Sequence, residues 1–175
     1  HSHDVGRYIS PFGYKMDTPY LQQLAESGML FRNMHCAAPS CSPSRAAMLT
    51  GMYAHCSGMY GLVNRGFDLE KKECHIAPWL SCNGYKTILA GTQHVVKDRD
   101  GIPYDIILEE KIGEKVLTSQ ELVCQGMEAL DSLNGESFFL DIGFGDTHRP
   151  YRDGTAQYNP AYIYPPEPLP DTRQV

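Results

Sequence analysis

The chain has 175 residues, 42% of them hydrophobic and 21% charged, with a formal net charge of −6. That length suits one domain and a core that removes roughly two-thirds of the unfolded surface from water. The acidic balance, without any Lys/Arg-rich run, carries no nucleic-acid footprint, and no apolar stretch approaches the ~20 residues of a membrane helix.

The chain starts at His1 without a Met and stops at Val175 after the proline-rich run YPPEPLPDTRQV, which points to a piece of a longer chain. Thr18-Pro19 opens the first predicted helix, a cap residue followed by proline at the first helical position. YLQQLAESG continues it, with Leu21, Leu24 and Ala25 on one face and Gly28 as the stop. MLFRNMH, residues 29–35, reads as a strand, CAAPSC as a loop, and residues 42–49 as a helix ending near Gly51. Residues 52–73 look irregular. CHIAPWLSCNG predicts a helix closed by Asn83-Gly84, YKTILAG a strand running into Gly91, and residues 95–105 a loop with a turn at Asp100-Gly101. Thr118 and Glu121 form a capping box ahead of LVCQGMEALDSL. SFFLDIGFG then reads as an apolar strand buried on both faces. From Tyr151 on, proline and tyrosine predict extended coil. The alternation of helices and strands predicts an α/β fold: a mostly parallel (mixed) central sheet flanked by helices.

The cysteines are Cys36, Cys41, Cys56, Cys74, Cys82 and Cys124, with no CxxC pair. A chain of this size needs no disulfide staples, so most read as reduced core residues. That usage favours a cytoplasm over a periplasmic, secreted or lysosomal setting.

Sites in open α/β sheets form beyond the carboxyl ends of the strands. Cys41 follows the first predicted strand, His94 the second (GTQH), and Asp146 and His148 the third (GDTH). A strand ahead of the chain would bring His1, His3 and Asp4 to the same edge. Each of these residues has a plainer reading. A lone histidine after a strand is more often a hydrogen-bonding loop residue, a lone cysteine a buried thiol, and Asp146 a turn cap. Their shared position after strands favours convergence. Cys41 also lies at a predicted helix N-terminus, where free N–H groups and the dipole favour anions. Arg45 follows one turn on, on the same face. That arrangement allows a cysteine nucleophile or an anion-binding site.

CSPSRAAMLTG, residues 41–51, resembles the sulfatase signature, Cys-x-Pro-Ser-Arg followed by Leu-Thr-Gly. The segments on either side, TPYLQQLAESGMLFRNMHCAAPSCSPSR and GMYAHCSGMYG, look like the family's flanks. GYKTILAGTQH resembles its Gly-Tyr-x-Thr…Gly-Lys-x-His block, and FFLDIGFGDTHRPY its apolar strand ending in a histidine. The likeness covers nearly all of residues 1–150 and leans towards the heparan N-sulfatase and iduronate-sulfatase side of the family. It implies an alkaline-phosphatase-like fold of which residues 1–150 are part of the catalytic domain, with 151–175 leading into a further C-terminal part.

The resemblance further implies that Cys41 is converted to Cα-formylglycine by a formylglycine-generating or anaerobic sulfatase-maturating enzyme, which reads Pro43 and Arg45. One hydroxyl of the hydrated aldehyde attacks sulfur; the other loses its proton to expel sulfate, a step that plain Ser or Cys could not perform. By the same likeness Arg45 stabilises the sulfate charge, His94 assists the formylglycine, and His148 contacts sulfate and protonates the leaving group. Asp4, with His3 and Cys41, falls at the metal site, where Ca²⁺ is usual and Mg²⁺ or another divalent cation the alternative. The substrate class is a small-molecule or glycan sulfate. Three departures stand out: His3-Asp4 replaces a frequent Asp-Asp, Thr92 a sulfate-binding lysine, and Met52 a frequent arginine. The family's later metal pair and second lysine fall beyond Val175, so residues 1–175 alone are expected to hold the cation poorly, to be inactive, and to need the rest of the sulfatase chain. The competing readings are a phosphonate or phosphate monoester hydrolase, a non-catalytic binder of sulfated glycans, and a zinc or redox module built on His35, Cys36 and Cys41.

Overall fold

The computed structural model describes residues 1–149. In chain order the helices are α1 (Pro19–Ser27), α2 (Cys41–Thr50), α3 (Ile76–Cys82) and α4 (Ser119–Ser132). The strands are β1 (Lys86–Gly91), β2 (Ile106–Ile107), β3 (Lys111–Ile112), β4 (Lys115–Val116) and β5 (Phe138–Gly143). The chain divides into two compact units. One comprises His1–His3 with Met34–His148; the other includes Asp4–Asn33.

The larger unit is an α/β layer, as the alternation predicts. Its sheet has the order β2-β1-β5, and both pairings are parallel. An isolated parallel bridge from Ser2 to Phe144 adds the chain start beside the end of β5. The short β3–β4 hairpin is antiparallel and separate. The strand KTILAG is buried from Thr87 to Gly91. Its Leu89 joins Ala46, Leu49, Met59, Leu69, Val95 and Ile102 in one core. Each fully buried Leu or Ile contributes about 1.5–3 kcal/mol by leaving water. Helix α4 begins with the predicted capping box, Thr118 accepting from the Glu121 N–H while Glu121 accepts from the Thr118 N–H. Among the described residues no helix is long and apolar enough to cross a membrane.

β1 and β5 end side by side, with Gly91 and Gly143 in register. Gly91 has a φ of 70°, and a side chain there would strike the Gly143 carbonyl oxygen; one at Gly143 would strike the Thr92 carbonyl oxygen. This close approach narrows the carboxyl edge of the sheet, where the turn bearing His94 leaves β1.

Four expectations are corrected. Residues 29–35 form no strand: Met29, Phe31 and Met34 are exposed, and without a neighbouring backbone to pair with, an apolar run has nothing to hold it extended. Cys41 therefore follows a loop. Strand β5 is only partly covered, with Phe138 48% exposed, because its apolar run outlasts what packs on it. In the smaller unit Leu21 and Leu24 on α1 are exposed. The six thiols are free, as expected, but five are exposed and Cys41 is half-buried, because they sit on loops and outward helix faces. The extended coil expected from Tyr151 lies outside the described residues.

Candidate active site

Helix α2 starts at Cys41 itself, one residue earlier than its pattern predicts, with Ser40 extended at the N-cap. Pro43 is tolerated because the first-turn N–H groups have no intrahelical partner. The helix is anchored by burial: Ser42, Pro43, Arg45, Ala46, Ala47 and Leu49 are all buried. The Val63 N–H donates to Ser42 Oγ at 3.3 Å, and Gly51 closes the helix with a φ of 67°. Cys41 is thus held on a rigid, covered helix end.

Residues 1–3 lie extended along β5, with Phe144 N–H donating to the His1 carbonyl at 2.9 Å and His3 N–H to the Phe144 carbonyl at 3.1 Å. The period of two puts His1 and His3 on the same side. Both line a cleft of about 190 Å³ with Cys41, Ser44, Arg45 and Met48. Arg45 Nη1 lies 2.5 Å from His1 Nδ1, and His1 Nε2 is 2.7 Å from Asp141 Oδ1.

His94 arrives from the turn after β1 with a φ of 60°. Gln93, buried beside it, locks that turn. Its Oε1 accepts from Val95 and Val96 N–H groups at 2.6 and 2.9 Å, and its Nε2 donates to the Val96 carbonyl at 2.6 Å. The His94 ring centroid is 5.5 Å from that of His3. A ligand atom from each of His3, Cys41 and His94 lies within 4.8 Å of the others. His148 is exposed, its ring 5.3 Å from His3 and nearly perpendicular to it, and Thr147 Oγ1 donates to the His3 carbonyl. Asp146 is exposed and accepts from Ser119 Oγ at the start of α4. Thr92 N–H donates to the Gly143 carbonyl at 3.1 Å, and Met52 is half-buried after α2. Asp4, exposed with a φ of 49°, opens the smaller unit.

Of the residues expected at this edge, His3, Cys41 and His94 lie together, with His148 against His3, while Asp146 lies against Ser119. Three converging donors fit a divalent cation. Two imidazoles and a sulfur suit borderline ions, whereas Ca²⁺ prefers carboxylate and carbonyl oxygens. A thiolate zinc module on His35 and Cys36 has no such grouping among the described residues; both are exposed.

Sequence reasoning missed the layer behind the cleft. Asp141 is buried in β5 and accepts from Tyr104 Oη at 2.7 Å. Burial, then the charge of Asp141 and this hydrogen bond, push the Tyr104 hydroxyl far up, so it stays a donor. His75 caps α3, its Nδ1 accepting from Ala77 N–H at 3.1 Å, with its ring 5.6 Å from Tyr104. Burial lowers His75 to about 4, against a smaller raising effect of Asp141. The signal available was one acid inside the apolar run FFLDIGF, which burial permits only when it is well partnered.

The family model described as Sulfatase matches residues 3–167. N-sulphoglucosamine sulphohydrolase of Homo sapiens is 34% identical over 140 residues, covering 75% of this chain and 27% of that protein. Arylsulfatase A of Homo sapiens is 38% identical over 96 residues, 53% of this chain and 18% of that protein. An ulvan-active sulfatase of Formosa agariphila is 39% identical over 69 residues, 39% of this chain and 12% of that protein. The chain therefore spans at most 27% of the length of these relatives.

Proposed function

The chain belongs to the sulfatase family, and from that premise we propose that the full protein hydrolyses sulfate esters or sulfamates with Cys41, as formylglycine, at the reacting position. The supporting observation is that Cys41 and Arg45 line one cleft while His3 and His94 converge on the cysteine. Formylglycine supplies a nucleophilic hydroxyl and a second one whose deprotonation releases sulfate. Arg45 binds the sulfate oxygens through charge-assisted hydrogen bonds. His148 gives a proton to the departing oxygen or nitrogen. His3, residue 41 and His94 would hold a divalent cation that polarises the sulfate group; Asp4 is the carboxylate that the family resemblance assigns to the same ion. Calcium is the ion that the resemblance implies, and the imidazole donors favour a borderline ion. The human relative is named for an N-sulphated glucosamine, which makes a sulfated amino sugar the first substrate class to try.

Mass spectrometry of the tryptic peptide Asn33–Arg45, from full-length protein made in its own host, tests the reading. The expected result is an aldehyde or its hydrate at residue 41 and an intact thiol at Cys36. An unmodified Cys41 thiol would overturn it in favour of sulfated-glycan binding without turnover. Relative rates on 4-nitrophenyl sulfate and 4-nitrophenyl phosphate then separate a sulfatase from a phosphate monoester hydrolase.

A further inference from the structure

From the cleft wall inward, a chain of polar groups runs Arg45, His1, Asp141, Tyr104, buried at every member but His1, which lines the cleft. Strand β5 carries Asp141 among apolar residues, 4% exposed. A carboxylate so placed is stable only when its oxygens are occupied by donors. Tyr104 Oη donates to Oδ2 at 2.7 Å, and the His1 ring stands 2.7 Å from Oδ1. The bridge between Ser2 and Phe144 sets the level of that ring on the sheet edge. On its other side, Arg45 Nη1 lies 2.5 Å from Nδ1 and 2.9 Å from Nε2. With Nε2–H donating to Asp141, Nδ1, the nearer of the two ring nitrogens, is left as the acceptor towards the guanidinium. A carboxylate on one ring nitrogen is what selects a tautomer and holds an imidazole in plane.

We propose that His1 and Asp141 are a positioning pair: the carboxylate fixes the imidazole, and the imidazole fixes the Arg45 guanidinium in the orientation that receives a sulfate group. The inference rests on the sulfatase reading of Arg45 as the sulfate-binding residue. Arginine loses much rotamer freedom when a ligand immobilises it, and a guanidinium already held in place loses less. Arg45 is 7% exposed, and its Nη1 is engaged by His1 before any ligand arrives. The competing account makes Asp141 a plain counter-charge. The two accounts differ in sign. A counter-charge opposes anion binding, so its neutralisation tightens sulfate binding; loss of a positioning group loosens it.

The test uses full-length protein, with calorimetric affinity for inorganic sulfate and steady-state kinetics on 4-nitrophenyl sulfate. His1→Ala is expected to weaken sulfate binding about tenfold and raise KM in step, the effect of losing one hydrogen bond to a charged group. His1→Gln offers an amide donor and acceptor in place of the two ring nitrogens and is expected to stay within about threefold of wild type. Asp141→Asn, nearly isosteric, is expected to weaken sulfate binding by about threefold or more despite removing a negative charge. Unchanged or tighter binding by a folded Asp141→Asn protein overturns the proposal, as does a His1→Gln loss as large as that of His1→Ala. If His1→Ala does not fold, the Gln and Asn variants still decide. A wild-type protein that binds sulfate but leaves the ester intact counts against the hydrolytic reading alone, and the pair is then judged on sulfate affinity. A wild-type protein that binds no sulfate overturns both.

Discussion

The Tyr104 hydroxyl donates a 2.7 Å hydrogen bond to the Asp141 carboxylate, and both side chains are buried. Removing the donor leaves a buried carboxylate oxygen short of one partner. Tyr104→Phe should therefore lower the unfolding free energy of the full-length protein by about 1–3 kcal/mol. Urea titration reads this directly as a lower midpoint with an unchanged slope; a midpoint equal to wild type would show that water replaces the hydroxyl.

His75 makes stability depend on pH. Its folded value of about 4 lies below the ordinary 6.5, because burial disfavours the imidazolium. Between those values the unfolded chain binds more protons, so acid favours unfolding. The stability associated with neutral His75 is present above pH 6.5 and is lost as pH falls towards 4. His75→Asn keeps an acceptor for the Ala77 N–H and does not titrate. Melting temperatures across this window should fall less steeply for His75→Asn than for wild type; parallel curves would exclude His75 as a source of the slope.

The donor grouping of His3, Cys41 and His94 makes a prediction about metal content. His3→Ala and His94→Ala should each reduce the metal that stays with the full-length protein after gel filtration, by about tenfold in affinity or more. Elemental analysis gives the stoichiometry without reference to turnover. Full occupancy in both variants would place the ion on other ligands.

Gly143 has no room for a methyl group, because the Thr92 carbonyl oxygen occupies the space and His1 Cε1 lies 2.7 Å from the position a Cβ would take. Gly143→Ala forces β1 and β5 apart where the His94 turn begins, at a cost of about 1–3 kcal/mol. The thermal midpoint should drop, and sulfate binding should weaken with it as His1 is displaced. A variant with wild-type stability would mean that the strand ends separate without strain.

Local chemistry was legible where the signal is local. The Thr118–Glu121 capping box, the Gly51 stop, the strand ending at Gly91 and the signature helix each depend on residues within a few positions of one another. The nominal strand over residues 29–35 was misread because hydrophobicity alone resembles a strand, whereas a strand also needs a neighbouring backbone. The short β2 strand and the β3–β4 hairpin escaped notice because two-residue strands carry no period.

The motif residues and their chemistry were readable in one dimension: Cys41, Pro43 and Arg45 on one helix start, and His94 and His148 at the carboxyl ends of strands. Long-range packing decided which of these groups share a space. Parallel pairing of β1 with β5, and of residues 1–3 with the end of β5, brings His1, His3 and His94 to the Cys41 helix from positions up to 93 residues apart. It also sets Asp141 and Tyr104 behind Arg45. A carboxylate in an apolar strand becomes interpretable only once its partners are known, because hydrogen bonds across the fold, and not its sequence neighbours, make its burial tolerable.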